Sequence, residues 1–195
     1  NTAIIIGGTG QYGITLGHLL VKKKYKVIIT TRYVSKTKKY KKKYPKLKFL
    51  RLNIYNKIKI RNFLEKFKPS ILFYFAGQSS PLMSFKKRRE TLNSNFIGCK
   101  NFLEIIYKNN IDVKFFNAAS SEMYGKLNKK INLNTVKKPL NPYGLAKKKS
   151  FNLVKKYREK FEMPNYNLIM FNTESFLRNK NFLIAKICIG AIEAF

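Results

Sequence analysis

The fold is decided near the start of the chain, where the sequence reads Ala3-Ile4-Ile5-Ile6-Gly7-Gly8-Thr9-Gly10-Gln11-Tyr12-Gly13. The β-branched run predicts a fully buried strand, and the leucines that follow the last glycine have helical spacing. In the turn between them, glycines at every third position permit positive φ angles and the close approach of a pyrophosphate. The N–H groups of a helix N-terminus favour the same anion. We therefore predict that Gly7, Gly8, Thr9, Gly10, Gln11, Tyr12 and Gly13 bind a nicotinamide dinucleotide.

The rest of the chain alternates short apolar runs with segments of helical periodicity. Because parallel strands are joined by helical crossovers, this alternation predicts a parallel sheet that is covered on both faces. The expected fold is α/β, a doubly wound, Rossmann-like parallel sheet in one domain over residues 1–195. The predicted strands are 3–6, 27–30, 49–52, 71–75, 113–119 and 166–171, and the predicted helices are 11–23, 36–43, 60–67, 89–108 and 143–161.

The composition excludes several classes of protein. The chain has 195 residues, 45% of them hydrophobic, which indicates a folded domain rather than a disordered chain. No apolar run is long enough to span a membrane. Cys99 and Cys188 lack the spacing of a metal site, so we predict no bound metal and a reduced, cytoplasmic protein.

The charge is far from balanced, with 41 Lys and Arg residues against 9 Asp and Glu residues and a net charge of +32. Such a charge suggests a polyanionic partner. The lysines are dispersed along the chain, however, in runs such as 22–24, 41–43 and 147–149. This dispersion is typical of solvated helix faces, so we predict no specific nucleic-acid partner and leave non-specific polyanion binding open.

Both ends of the chain lie close to predicted elements. Asn1 comes almost directly before the first strand, and Phe195 lies inside an apolar helical pattern. We expect the chain to be a fragment of a longer protein, with the C-terminal substrate domain mostly missing.

The end of the second predicted strand bears on the choice of dinucleotide. The sequence there is Thr30-Thr31-Arg32, without the carboxylate that binds the ribose of NAD in Rossmann domains. Because a guanidinium suits a 2′-phosphate, Arg32 favours NADP. The alternative is that Arg32 is one more surface cation in a basic chain.

Two further segments carry candidate catalytic residues. Tyr143 and Lys147 are four residues apart on one predicted helix face, so the ammonium, together with the nicotinamide charge, is expected to lower the pKa of the phenol and make it a base. Ser120 and Glu122 directly follow the fifth predicted strand. The carboxyl ends of parallel strands face the ligand crevice, so both side chains are expected there.

With these motifs, the sequence resembles the extended short-chain dehydrogenase/reductases and, within them, the GDP-mannose 4,6-dehydratases. The resemblance runs over the whole chain. Its most discriminating segments are Ser120-Ser121-Glu122-Met123-Tyr124-Gly125 and Phe171-Asn172-Thr173-Glu174-Ser175, supported by Phe75-Ala76-Gly77-Gln78-Ser79 and Asn95-Phe96-Ile97-Gly98. The chain departs from the family at a few positions. Lys24 stands at a turn normally occupied by glycine, where a positive φ would cost about 1 kcal/mol.

The resemblance implies a set of binding residues beyond those above. It implies a nucleotide-sugar substrate, GDP-mannose in particular, a homo-oligomer at full length, and a substrate-binding region that begins near residue 172. It adds Asn53, Ile54, Phe75, Ala76, Gly77, Gln78, Thr173 and Arg178 to the cofactor-binding residues, which also include Tyr143 and Lys147, and it implies that Ser79, Ser120, Asn172 and Lys186 bind the substrate.

The resemblance also implies a redox-neutral dehydration with tightly held NADP. Tyr143 would take the proton of the 4-hydroxyl, Glu122 would take the C5 proton, and Ser120 would bind the C4 oxygen. Lys147 would hold the cofactor ribose. Two alternatives stay open: another NAD(P)-dependent nucleotide-sugar epimerase or reductase, and a non-catalytic protein that binds NADP or polyanions.

Overall fold

The computed structural model describes residues 1–128, 130–178 and 180–194, so Phe195 at the end of the predicted terminal helix lies outside the described residues. Six parallel strands form one sheet in the order β3-β2-β1-β4-β5-β6. The strands are β1 (Thr2–Ile6), β2 (Lys26–Thr31), β3 (Lys48–Arg51), β4 (Ile71–Tyr74), β5 (Lys114–Ser120) and β6 (Asn165–Met170).

The helices lie between successive strands, with a last one after β6. A short 3₁₀ turn, Val34–Thr37, precedes α2, and another, Ser121–Met123, follows β5. The helices are α1 (Gln11–Lys22), α2 (Lys38–Lys43), α3 (Lys57–Phe67), α4 (Pro81–Lys86), α5 (Arg88–Leu92), α6 (Gly98–Lys108), α7 (Pro142–Phe161) and α8 (Leu183–Glu193).

The central strand shows why the sheet needs cover on both faces. Residues 3–6 of β1 are completely buried, and alternate side chains join different cores. Ile4 and Ile6 belong to the larger core, which includes residues of α3, α6 and α7, whereas Ala3 and Ile5 pack with residues of α1. The continuous apolar run is therefore that of a strand buried on both sides, which confirms the predicted doubly wound α/β fold.

Two parts of the predicted helix pattern were wrong in detail. The predicted helix at 89–108 is divided by a π-helical turn, Asn93–Ile97, between α5 and α6. The helix α4 was not predicted, although Ser80 caps it through its hydroxyl, which accepts from Met83 N, and Pro81 occupies its first turn. Serine before proline is a helix-start signal, and only one residue, Lys87, separates α4 from α5.

The turn after α1 has the expected strained backbone. Lys24 has a φ of 63°, in the left-handed region that a residue with a Cβ adopts at a cost of about 1–2 kcal/mol. Among the described residues, no helix combines the length and the apolar character that crossing a membrane requires.

Candidate functional site

A cleft of about 410 Å³ opens where the strand order reverses between β1 and β4. The carboxyl ends of strands at such a switch point form the ligand crevice of doubly wound folds. Fourteen of the predicted binding residues line the cleft. They are Gly7, Thr9, Gly10, Gln11, Tyr12, Gly13, Arg32, Ile54, Phe75, Ala76, Gly77, Gln78, Ser79 and Arg178.

The structure gives a different physical reason for glycine at each of the three spaced positions of the turn. Gly7 has a φ of 70°, and a Cβ there would overlap the backbone of Ala76 at the end of β4. A Cβ on Gly13 would overlap the backbone of Gly8, so α1 crosses close over the turn. Gly8 itself is buried and is not among the residues that line the cleft, so its contact with a ligand stays a prediction; a Cβ there would meet Ile5 and Ile29 beneath the turn.

Gly10 is the position that fits a ligand. It lines the cleft, and a Cβ added to it would meet no heavy atom within 4 Å. Packing within the described chain therefore gives no reason for a glycine there, whereas a phosphate group that approaches the backbone would. Gly10 also caps α1 without a side chain, which leaves the first N–H groups of the helix free for an anion.

Two side chains of the turn hold the segment after β6. Gln11 Nε2 donates to the Thr173 carbonyl oxygen at 2.9 Å, and the Ser175 hydroxyl donates to Gln11 Oε1 at 2.8 Å. The Tyr12 hydroxyl donates to the Phe171 carbonyl oxygen at 3.3 Å. This segment leads directly to Arg178, so the turn brings a cation from far along the sequence to the cleft.

The segment after β4 is held by the π-helical turn. Ser94 Oγ accepts from Gln78 N at 3.1 Å, and Asn95 Nδ2 donates to the Gln78 carbonyl oxygen at 3.0 Å. Ser94 also lines the cleft and was missed from the sequence, because its role depends on the extra residue of the π turn. Ser79, predicted to bind substrate, lies in this same cleft beside Gln78.

The cation predicted to select the dinucleotide has a partner. Arg32 follows β2 and lines the cleft, and both of its terminal nitrogens lie 3.4 Å from Glu90 Oε1. No local pattern marked Glu90, which lies in α5. Asn53 is not among the residues that line the cleft, and its Oδ1 accepts from Tyr55 N at 3.0 Å, so its cofactor contact stays a prediction.

The predicted catalytic residues gather at the end of β5. Ser120 is 6% exposed and its Oγ accepts from Glu122 N, and its hydroxyl is one of the groups that lower the pKa of Tyr143. Burial raises the pKa of Tyr143; the hydrogen bond with Ser120 and the charge of Arg178 oppose this, and Glu122 and Tyr12 raise the pKa further. Tyr143 does not line the cleft, but Tyr12 and Arg178 do, so the two parts of the site adjoin.

Lys147 is placed differently from our expectation. Its Nζ donates to the Ala118 carbonyl oxygen at 2.6 Å and lies 5.6 Å from the centroid of the Tyr143 ring. Burial lowers the pKa of Lys147 itself to about 8. The effect of Lys147 and the nicotinamide charge on the pKa of Tyr143 stays a prediction: here the ammonium faces a carbonyl, and Ser120 and Arg178 are the groups that lower this pKa. Lys147 also does not line the cleft.

Asn141 organises this cluster and was not identified from the sequence. Its Oδ1 accepts from Gly144 N at 2.7 Å and so caps α7. Its Nδ2 donates to Glu122 Oε2 at 2.8 Å. One side chain therefore fixes both the start of the helix that carries Tyr143 and the orientation of the carboxylate. An asparagine directly before proline is a recognisable N-cap signal, but its bond to Glu122 depends on the tertiary fold.

Three further predicted residues, all within the described chain, are not among those that line the cleft. Asn172 and Thr173 are exposed, and the Thr173 hydroxyl donates to the Phe171 carbonyl oxygen. Lys186 is exposed on α8. Within the part of the chain that the structure describes, no group of three or more His, Cys, Asp or Glu side chains is arranged to hold a metal.

The sheet order, the glycine turn at the switch point and the serine, tyrosine and lysine at the end of β5 and the start of α7 define a Rossmann domain of the short-chain dehydrogenase/reductase class. Within that class, the chain belongs to the GDP-mannose 4,6 dehydratase family, whose sequence pattern matches residues 4–194.

A curated relative shares this family, and solved structures of lower identity share the fold. The GDP-mannose 4,6 dehydratase of Drosophila melanogaster is 33% identical over 95% of this chain and 50% of its own length. The chain thus spans about half the length of the curated relatives it matches. The UDP-glucuronic acid 4-epimerase of Bacillus cereus, solved with UDP-glucuronic acid and NAD, has a TM-score of 0.87 at 19% identity over 99% of this chain and 63% of its own. The dTDP-glucose 4,6-dehydratase of Bacillus anthracis, solved with NAD, has a TM-score of 0.84 at 20% identity over 99% of this chain and 62% of its own.

Proposed function

We propose that this chain carries the cofactor site and the catalytic residues of a nucleotide-sugar 4,6-dehydratase that converts GDP-mannose to GDP-4-keto-6-deoxymannose and water. The observation that carries the proposal is the convergence of Ser120, Glu122 and Tyr143 at one end of the sheet, next to the cleft. A phenol that can take an O–H proton and a carboxylate that can take a C–H proton are the two bases this dehydration needs. The family membership supports the same reaction.

The cleft would hold NADP, whose nicotinamide supplies a reversible hydride acceptor when bound. In this proposal the pyrophosphate lies against Gly10 and the free N–H groups of α1. Arg32 binds the 2′-phosphate and Arg178 lies near the reactive end, because its charge acts on Tyr143. Residues 1–195 then form the NADP-binding domain, and the substrate-binding region begins near residue 172.

Tyr143 would take the proton from the sugar 4-hydroxyl. Its pKa is raised by burial, so it needs groups that stabilise the phenolate, and Ser120 and Arg178 have this effect. The Ser120 hydroxyl would also bind the developing C4 oxygen. Lys147 would bind the cofactor ribose. In this structure, its ammonium donates to the Ala118 carbonyl oxygen and is held in the interior.

Glu122 would act on the neighbouring carbon. A carbonyl at C4 would acidify the C5 proton, which the carboxylate would take, and the same carboxyl group would return a proton to the hydroxyl that leaves C6 as water. The C5–C6 double bond left behind would be saturated when the hydride removed from C4 returns to C6 and a solvent proton adds to C5. The bond from Asn141 Nδ2 to Glu122 Oε2 fixes the carboxylate and leaves its other oxygen for this transfer. A cytoplasmic, homo-oligomeric enzyme without a specific nucleic-acid partner completes the proposal.

The test is to incubate the protein with NADP and GDP-mannose in D₂O and to analyse the sugar nucleotide by mass spectrometry. We expect a product that is lighter by one water and carries solvent deuterium at C5. Glu122→Gln should abolish both changes, and Tyr143→Phe should do the same because the C4 carbonyl never forms. Product formation by Glu122→Gln at the wild-type rate would remove Glu122 from its role.

The same experiment separates the alternatives. An epimerase or reductase would not remove the C6 hydroxyl as water. A product of unchanged mass with inverted C4 would indicate an epimerase, and one with two added hydrogens would indicate a reductase; either would contradict the dehydratase. Binding of NADP without conversion of any nucleotide sugar would favour the non-catalytic protein. That outcome would leave the glycine turn as the functional element and make the catalytic assignments wrong.

A further inference from the structure

The end of the cleft at Arg32 contains a carboxylate, that of Glu90, to which the proposed function gives no role. Arg32 and Glu90 lie 58 residues apart, and Glu90 Oε1 is 3.4 Å from both Arg32 Nη1 and Arg32 Nη2. Lys87 Nζ lies 3.7 Å from the other oxygen, Glu90 Oε2. Arg32 lines the cleft whereas Glu90 does not, so the carboxylate acts on the cleft through the guanidinium.

Tyr55 shows that both charges reach the same end of the cleft. Tyr55 lines the cleft, and burial raises the pKa of its phenol. The charge of Arg32 lowers this pKa, and the charge of Glu90 raises it further. In doubly wound folds, the residue at the end of the second strand faces the adenosine ribose. A ligand at that position therefore meets a guanidinium whose two terminal nitrogens already face a carboxylate.

A 2′-phosphate and a 2′-hydroxyl would respond differently to this arrangement. A phosphate binds a guanidinium best through two parallel N–H donors, which are the groups that face Glu90. It must displace the carboxylate and then remain near a second negative charge. An uncharged hydroxyl makes neither demand. Glu90 thus opposes the phosphorylated ribose specifically.

We propose that Glu90 is a specificity-determining residue of the cofactor site: its carboxylate competes with the 2′-phosphate for Arg32 and keeps the preference for NADP over NAD small. This inference rests on the proposed dinucleotide site. The two side chains are 65% and 37% exposed, so the competition has the modest strength of a solvated ion pair. Glu90→Gln should therefore tighten binding of the phosphorylated ligand by about fivefold.

The experiment measures Kd by titration calorimetry for adenosine 2′,5′-bisphosphate, AMP, NADP and NAD. Glu90→Gln should lower the Kd of the two 2′-phosphorylated ligands by about fivefold and change the others by less than about twofold. Glu65→Gln is the matched control, because Glu65 pairs with Arg61 on α3 at 3.7 Å and its loss changes the net charge equally. The control should leave the ratio of Kd values unchanged. An Arg32→Ala background should abolish the effect of Glu90→Gln.

Each contrary result has a definite meaning. Equal gains in Glu90→Gln and Glu65→Gln would overturn the inference in favour of general charge attraction. If Glu90→Gln raised the Kd of AMP and NAD alone, competition would be overturned in favour of direct binding of the ribose by Glu90. Failure of all four ligands to bind would overturn the dinucleotide site, whereas binding with an unchanged ratio would overturn only the role of Glu90.

Discussion

The substitution Gly98→Ala tests the packing behind the cleft. Gly98 begins α6, and a Cβ there would overlap the Tyr74 hydroxyl and lie 2.8 Å from Ile54 Cδ1, inside the 3.4 Å at which ordinary contact begins. Tyr74 is 1% exposed, and its hydroxyl donates to the Ser94 carbonyl oxygen at 2.7 Å. The hydroxyl therefore cannot retreat without breaking a buried hydrogen bond.

Three contributions set the size of the effect. Loss of the buried hydrogen bond costs about 1–3 kcal/mol, and overpacking of the interior costs about 1–3 kcal/mol. The better helix propensity of alanine returns about 1 kcal/mol. The free energy of unfolding should fall by about 3 kcal/mol, a large part of the total of about 5–15 kcal/mol for a typical domain. Urea denaturation followed by circular dichroism measures the change.

Two further variants make the test of Gly98 specific. Gly190→Ala in α8 is the matched control, because a Cβ there meets nothing within 4 Å, and it should stabilise the protein by about 0.5–1 kcal/mol. Adding Tyr74→Phe to Gly98→Ala removes the overlapping oxygen, so the double variant should be more stable than the sum of the single effects by at least about 1 kcal/mol. Strict additivity, or a Gly98→Ala variant as stable as Gly190→Ala, would refute the reasoning.

Three other predictions concern the backbone and the catalytic cluster. Lys24→Gly should raise the free energy of unfolding by about 0.5–1 kcal/mol by relieving the positive φ, whereas Lys23→Gly, at a negative φ, should lower it; equal effects in urea denaturation would contradict this. Asn141→Ala should lower the free energy of unfolding by about 1 kcal/mol, and Asn141→Ser should restore it because serine can also cap the helix. Both variants should slow deuterium exchange at C5 because Glu122 loses its hydrogen bond to Asn141. Exchange at the wild-type rate in either variant would exclude the positioning role of Asn141. Burial lowers the pKa of Lys147 from 10.5 to about 8, so between these values the unfolded chain binds a proton that the folded chain lacks, and this group makes stability rise with pH. The free energy of unfolding of wild type minus that of Lys147→Met should therefore rise by roughly 3 kcal/mol from about pH 7 to 10.5, and a flat difference in chemical denaturation would exclude the titration.

The parts of the fold set by local patterns could be predicted from the sequence. The apolar run at 3–6 and the spaced glycines after it specify a strand, a turn and a helix within a few residues of each other, and the structure has all three. The π turn at Asn93–Ile97 could not be predicted, because hydrophobic periodicity continues through it into α6. The regular helical pattern records which residues face the core and not how many residues each turn contains.

The partners within the site lie beyond local patterns. Gln11 and Thr173 are 162 residues apart and Arg32 and Glu90 are 58 apart, so only the folded sheet decides that they meet. The sequence identified Arg32 by its place after β2, but not the carboxylate that competes for it. Likewise, the spacing of Tyr143 and Lys147 predicts that both lie on one helix, but it does not show which atom the ammonium binds.

These distant contacts give the glycine turn a second role. Its backbone shapes the proposed anion site at Gly10, while Gln11 and Tyr12 hold the segment that leads to Arg178 in the cleft, near Tyr143. A group that binds at the turn therefore lies against the same residues that fix a charge acting on the candidate base. Because one turn serves both purposes, a change at Gln11 that spares the backbone would disturb the environment of Tyr143 as well as cofactor binding, whereas a change at Arg32 would affect only the adenosine end.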